Sequence, residues 1–383
     1  MLKASQKDNL TRALLRWLTW CGMATPWIKK SFSIWRLLNL LYELMLMALV
    51  TYIVFCYVYT IMTISVGFQD LCGLGVSASN YMCGFFATIH QCLLKDRLKV
   101  LTDKLDKIIL DIIRSGLGEE QAFLELYNNN SKTMAVLVNN SVILAAIGTL
   151  IYCLSVPAMD WYADQYRSHF PVLIESPFDE RVPVAYEIVV FLVAACMIVS
   201  IAKKIVTDCL LISLFKIEIA FFKYLSLSLA SMKKGFLKGD HAFIDKKLKL
   251  WIGIHQSVLR SVDELILISS PMVIMYYVTV ISIVVCGTFV QIMKDNENIF
   301  QSLSITVFIS ITLLYYFLLA NTADQLTAVA QSVAHAAFDV PWYQMEKKHS
   351  TMVRMVIAMA NRPIRLTAYR APIFVLNREN YAG

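Results

Sequence analysis

The chain has 383 residues, of which 58% are apolar and only 16% charged, a balance foreign to soluble globular domains. Its formal charge of +7 is not gathered into the dense basic face that nucleic acid needs, so a nucleic-acid partner is set aside. Six apolar runs sort the charges, leaving 32 of the 35 Lys and Arg residues on one side and three on the other. Basic residues near span ends stay cytoplasmic, which predicts an N-terminus inside the cell.

Residues 1–36 form a cytoplasmic N-terminal segment with seven basic residues and no signal-peptide pattern. Within it, residues 10–27 (Leu10, Leu14 and Leu18, with Trp17, Trp20 and Trp27) suit a helix lying at the lipid interface. A bilayer core needs about 20 apolar helical residues. Six segments meet that need: 37–65, 71–94, 133–157, 186–210, 266–293 and 299–323, together a six-span bundle over 37–323. Lys203, Lys204 and Asp208 mark the inner end of the fourth.

Two inner segments, 95–132 and 203–265, carry helical patterning instead of linker composition. Leu98, Leu101, Leu105, Ile108 and Ile112 mark one stripe; Trp251, Ile254, Val258, Val262 and Leu265 mark another. A single helix from about 241 to 293 would run roughly 80 Å at 1.5 Å per residue, far beyond a bilayer core. Such helices project into the cytoplasm and pack there, or lie along the surface. The outer loop 158–187 is acidic and aromatic, with Pro157, Pro171, Pro177 and Pro183 stiffening it. Residues 324–383 form a cytoplasmic C-terminal segment.

No chemistry-bearing motif emerges. The six histidines lack metal-ligand spacing, and no phosphate-cradling glycine loop or nucleophile elbow is present. An enzyme is not expected, nor a cofactor or metal. All nine cysteines lie in or beside the apolar runs or on the inner side, so no disulfide framework is legible. In the outward halves of the spans, Tyr81, Gly148, Tyr152, Tyr186, Phe191, Phe300 and Thr306 could line an apolar cavity with a few hydroxyls, the general design of a small-molecule pocket. Packing or lipid contact remains the alternative for each of them.

Three stretches resemble the insect odorant receptor family. Leu18, Gly22 and Pro26 are similar to its entry helix, and Pro177-Phe178-Asp179 with Pro183 and Tyr186 to its approach to the fourth span. The most specific is Pro341-Trp342-Tyr343, followed by Arg362-Pro363-Ile364-Arg365-Leu366-Thr367-Ala368 and then Leu376. The resemblance implies an all-α membrane protein, an odorant receptor-like helical bundle with cytoplasmic helical extensions. It further implies a subunit of a ligand-gated, non-selective cation channel, assembled with an odorant co-receptor as a hetero-oligomer, a tetramer, in the membrane of an olfactory neuron dendrite. A small volatile ligand would bind among the outer halves of the spans, near Tyr81, Gly148 and Tyr152, and lipid would surround the bundle. Trp342 and Tyr343 would belong to the inner assembly helix. The family pattern continues past the stretch matching Leu376-Asn377-Arg378-Glu379 into a seventh span, which 371–383 cannot form, so the expectation is six complete spans with the seventh missing. Tyr369 stands where the family usually has glycine. A gustatory receptor of the same superfamily and a membrane transporter are the alternatives.

Overall fold

The computed structural model describes residues 34–63, 67–162, 183–237, 241–293, 299–362, 364–370 and 375–378. The interfacial segment 10–27, Leu18, Gly22 and Pro26, most of the outer loop with Pro177, Phe178 and Asp179, and Pro363 lie outside these residues. The described chain is almost wholly helical: α1 (Ile34–Thr63), α2 (Phe68–Ser115), α3 (Glu120–Tyr162), α4 (Pro183–Leu237), α5 (His241–Met293), α6 (Ile299–Phe338) and α7 (Lys347–Ala360). Its only strand-like feature among the described residues is an antiparallel bridge between Thr367 and Val375.

Each of α2 to α6 is longer than a bilayer is thick, so the bundle divides into an apolar half and a basic half. Five helices hold a stretch long and apolar enough to cross a membrane: Leu41–Met62, Glu120–Ile151, Tyr186–Lys233, Ile244–Met293 and Ile305–Gln344. The expected second span, 71–94 in α2, falls short, because Gly73, Gly75, Ser79, Gly84, His90 and Gln91 dilute it. It is screened instead by α1, α4 and α5, against which α2 packs. The apolar half turns large side chains outward: Phe55, Met62, Ile147, Ile151, Phe191, Val285 and Ile292 are all at least half exposed. An apolar surface of that extent is untenable in water and suited to lipid. The chain is a multi-pass membrane protein.

The main hydrophobic core lies in the basic half. The stripe Leu98, Leu101, Leu105, Ile108 and Ile112 on α2 and the stripe Trp251, Ile254, Val258, Val262 and Leu265 on α5 are both buried in it. α2 and α5 run antiparallel, as Lys104 paired with Glu264 and Ser79 with Ser282 require. α4 runs parallel to α6, since Cys209 meets Tyr315 and Ser226 meets Ser332 at the same offset. Trp251 is fully buried and its indole N–H donates to the Leu225 carbonyl and the Ser228 hydroxyl, which satisfies its one polar atom. α2 ends where Gly116 takes a left-handed φ of 55°, a conformation without steric cost only for glycine.

α4 is the axis of the fold, in contact with all the other long helices. It carries charges that the sequence places at a membrane boundary and the structure buries. Lys203, Lys204 and Asp208 are all within 8% exposure. Lys204 Nζ donates to Asp208 Oδ2 at 3.0 Å and lies 5.4 Å and 5.8 Å from the ring centres of Tyr276 and Tyr315, while Lys203 Nζ donates to Thr88 at 3.0 Å. Periodicity explains the difference. Positions 203–215 are buried on every face because α2, α3, α5 and α6 surround α4 there. Two turns beyond the fourth span, Glu218 is fully buried, and burial pushes its carboxyl up to about 8. The Ser261 hydroxyl, which donates to the Val258 carbonyl at 2.8 Å, partly offsets this.

The motif at 362–376 folds back on α5 and α6. Leu376 N–H donates to the Leu366 carbonyl at 2.8 Å, Tyr277 to the Val375 carbonyl at 2.7 Å, and Thr327 to the Ile364 carbonyl at 2.6 Å. Arg378 meets Asp324 through both its backbone N–H and its guanidinium. Tyr369, within this fold-back, adopts φ 49° and ψ 35°.

Candidate functional site

A second, smaller core lies in the apolar half, between α1, α2, α3 and α4. It comprises Ile53, Cys56 and Tyr57 of α1, Leu74 and Tyr81 of α2, Cys153 of α3, and Val189, Val193, Ala194, Cys196 and Met197 of α4. Helical spacing puts them there. Leu46, Val50, Ile53, Tyr57 and Thr60 recur every three or four residues on α1, and all are buried. Val189, Val193 and Met197 do the same on α4.

Tyr81 is the centre of this cluster. It is fully buried, its ring centre is 5.5 Å from that of Tyr57, and its hydroxyl points to the Val193 carbonyl at 3.5 Å. Elsewhere in the cluster the Cys153 thiol reaches the Met197 sulfur at 3.8 Å. Aromatic, thioether and aliphatic side chains with one or two phenols have the chemistry that suits an apolar molecule carrying a single polar group.

The sequence-derived residues divide accordingly. Tyr81 is in the cluster. Tyr186 is buried one turn before Val189 on the same face of α4. Phe191 is 72% exposed on the opposite face, as two residues of helix beyond Val189 demand. Gly148 is exposed, with nothing within 4 Å of where a Cβ would stand. Thr306 is exposed and accepts a hydrogen bond from Gln291 at 2.6 Å. Tyr152 is on α3 beside the inward-facing Cys153, but its side chain, like that of Phe300, lies outside the described residues. The structure therefore brings Tyr81 and Tyr186 toward one site and leaves Gly148, Phe191 and Thr306 away from it. Tyr57, Cys153 and Met197 were not singled out from the sequence, although the α1 and α4 spacings would have found two of them.

At the far end of the basic half, Phe338 and Tyr343 are 63% and 71% exposed. Trp342 stands between them, with ring centres 6.3 Å and 6.1 Å away. A separate open groove of about 380 Å³ runs between α2 and α5, lined by Asp111, Arg114 and Lys249 among others; its charge is unsuited to an apolar ligand.

What links the small core to the large one is α2 and α4. The two cross so closely at Gly84 that a Cβ there would stand 2.6 Å from Ser200 Cα. Tyr81 and Val193 lie just before that crossing, and Thr88 and Lys203 just after it.

Comparison with known proteins follows the same lines. The structure is similar to that of the insect olfactory receptor OR5 from Machilis hrabei in complex with eugenol, with a TM-score of 0.79 and 15% identity, covering 98% of this chain and 96% of that one. It is also similar to the structure of the same receptor described without eugenol, with a TM-score of 0.76 and 14% identity over the same shares of the two chains. No curated protein matches the sequence. The profile of the family described as 7tm Odorant receptor matches residues 79–376, which takes in Tyr81, the Pro341-Trp342-Tyr343 stretch and the fold-back to Leu376. The chain belongs to the 7tm odorant receptor family.

Proposed function

We propose that this chain is the odorant-binding subunit of a ligand-gated, non-selective cation channel, assembled with an odorant co-receptor subunit. The observation that carries the reading is the buried cluster around Tyr81, apolar side chains with phenolic hydroxyls gathered by four helices, in a chain of the odorant receptor family. An apolar volatile molecule entering it gains roughly 25 cal/mol for each Å² taken out of water, and a hydroxyl such as that of Tyr81 adds selectivity. Eugenol, held by the similar Machilis hrabei receptor, is a ligand of this general kind: an aromatic body with polar groups.

A ligand opens a channel only through differential affinity for the open state. The close crossing at Gly84 and Ser200 gives that difference a path, because α2 and α4 continue without a break from Tyr81 and Val193 into the basic-half core. The exposed rings of Phe338 and Tyr343, with the half-buried Trp342 between them, are the docking edge for the co-receptor, of the composition typical of interface centres. The orientation is N-terminus inward in the cell membrane, with the basic half in the cytoplasm, as 32 of 35 basic residues demand.

Co-expression with and without an odorant co-receptor, followed by recording of membrane current over a panel of volatile compounds, tests this function. Odour-evoked cation current that needs both subunits is the expected result. Current independent of the co-receptor and evoked by soluble tastants would favour a gustatory receptor, and concentrative uptake without current a transporter.

A further inference from the structure

The antiparallel seam between α2 and α5 in the apolar half is built from small and hydroxyl- or thiol-bearing residues. Cys83 Sγ meets Thr279 Oγ1 at 3.0 Å, and Ser79 Oγ meets Ser282 Oγ at 2.8 Å. One turn further, a Cβ on Gly75 would stand only 3.2 Å from Cys286 Sγ. The contacts step back along α2 as they step forward along α5, so the next α2 position on this face is Cys72. Cys72 thus stands one turn from Gly75, on the side of α2 that the Cys286 thiol meets. Both are free thiols.

Their place in the fold distinguishes them from the other cysteines. Cys72 is four residues past the start of α2, and Cys286 is seven before the end of α5. At 1.5 Å per residue, the pair is about 6–10 Å inside the same end of the bundle. Cys286 is partly exposed. Cys56, Cys153, Cys196 and Cys209 are buried deeper in the bundle, and the Cys83 thiol is occupied by a hydroxyl.

We infer that Cys72 and Cys286 form a reversible disulfide that ties α2 to α5 at the outer end of the bundle. The proposal rests on the orientation given above, which turns that end toward the oxidising exterior. The oxidant is a small-molecule disulfide, such as oxidised glutathione. One cysteine thiolate attacks it, forming a mixed disulfide and releasing one small thiolate. The second cysteine thiolate then attacks the protein sulfur of that mixed disulfide and releases the other. Two protein thiols lose two electrons and two protons, and the small disulfide becomes two thiols. Gly75 eases the approach, since a Cβ there would stand 3.2 Å from Cys286 Sγ, tighter than an ordinary contact. The bond would hold Tyr81's helix fixed against α5, a covalent restraint on the helix that carries the candidate site.

Counting thiols in the full-length chain tests the inference. Cells expressing the protein are treated with oxidised glutathione, denatured in detergent and labelled with a maleimide-linked polymer, each free thiol adding one step on a gel. Oxidation should remove two of the nine labelling steps, and dithiothreitol should restore them. Cys72→Ser and Cys286→Ser should each end the two-step loss, leaving at most the one step of a mixed disulfide on the remaining thiol, whereas Cys83→Ser should keep it. An unchanged count after oxidation, or a two-step loss that persists in Cys72→Ser, overturns the proposal. Restoration on intact cells by a membrane-impermeant phosphine reductant supports the outward orientation as well. If only permeant dithiothreitol restores the thiols, the disulfide stands and the orientation is reversed.

Discussion

Removing one charge of the Lys204–Asp208 pair should destabilise the fold far more than removing both. The two side chains are 11% and 1% exposed and their charged atoms 3.0 Å apart. At that distance and an effective dielectric of about 20, the attraction is roughly 5 kcal/mol. Taking each ion out of water costs several kcal/mol, so the intact pair nets close to zero. Asp208→Leu leaves the Lys204 ammonium buried with only the faces of Tyr276 and Tyr315 for company, at a cost of about 3–5 kcal/mol. Lys204→Met combined with Asp208→Leu leaves no charge to strand and should recover most of that loss. The assay is the fraction of detergent-solubilised, fluorescently tagged protein that stays monodisperse after heating. Asp208→Leu should aggregate at a distinctly lower temperature than wild type, and the double variant should return toward it. A double variant as unstable as Asp208→Leu would refute the reasoning, because the stranded charge would then not be the source of the loss.

Two further substitutions probe the basic half. The Glu218 carboxyl is raised from 4.5 to about 8 by burial, so the folded state holds its proton where the unfolded chain has lost it. Its contribution is complete below pH 4.5 and declines as pH rises toward 8, by about 1.4 kcal/mol per pH unit. Glu218→Gln should therefore flatten the fall in thermal stability between pH 5 and 8, and an unaltered pH profile would contradict the assignment. Tyr369→Gly should stabilise the fold-back by about 0.5–1 kcal/mol, since φ 49° strains any residue with a Cβ and the side chain is 62% exposed. A lower melting temperature in the glycine variant would show that the tyrosine ring contributes more than its backbone costs.

The parts of the fold legible in the sequence were those with a single period. Leu98 to Ile112 and Trp251 to Leu265 each follow helical spacing between charges, and each stripe is buried in the basic-half core. The Pro341-to-Leu376 stretch carried the family resemblance, and its hydrogen bonds to Tyr277 and Thr327 give a physical reason for a fixed pattern there. Around α4 the signal failed, because a helix enclosed on all sides shows no polar face to mark its surroundings. Lys204 and Asp208 therefore read only as the inner end of a span, with nothing in the sequence to show that they are a buried pair. The candidate site was legible only in part. Depth in the membrane can be counted from a span's end, which led to Tyr81 and Tyr186, but depth alone does not separate the inward face from the lipid face. Phe191, two residues from Val189, and Gly148, five from Cys153, share the depth of the site and point away from it.

The central claim is that odorants bind beside Tyr81, and Tyr81→Phe tests it most directly. The substitution keeps the ring 5.5 Å from Tyr57 and removes only the hydroxyl near the Val193 carbonyl. Dose–response curves for odour-evoked current, measured with the co-receptor present and surface delivery checked, should shift for ligands that can accept a hydrogen bond. A hydrogen bond contributes about 0.5–1.5 kcal/mol, so those shifts should be roughly two- to tenfold, with purely hydrocarbon ligands unmoved. Curves that are unchanged for every ligand, or displaced equally for all of them, would contradict the account.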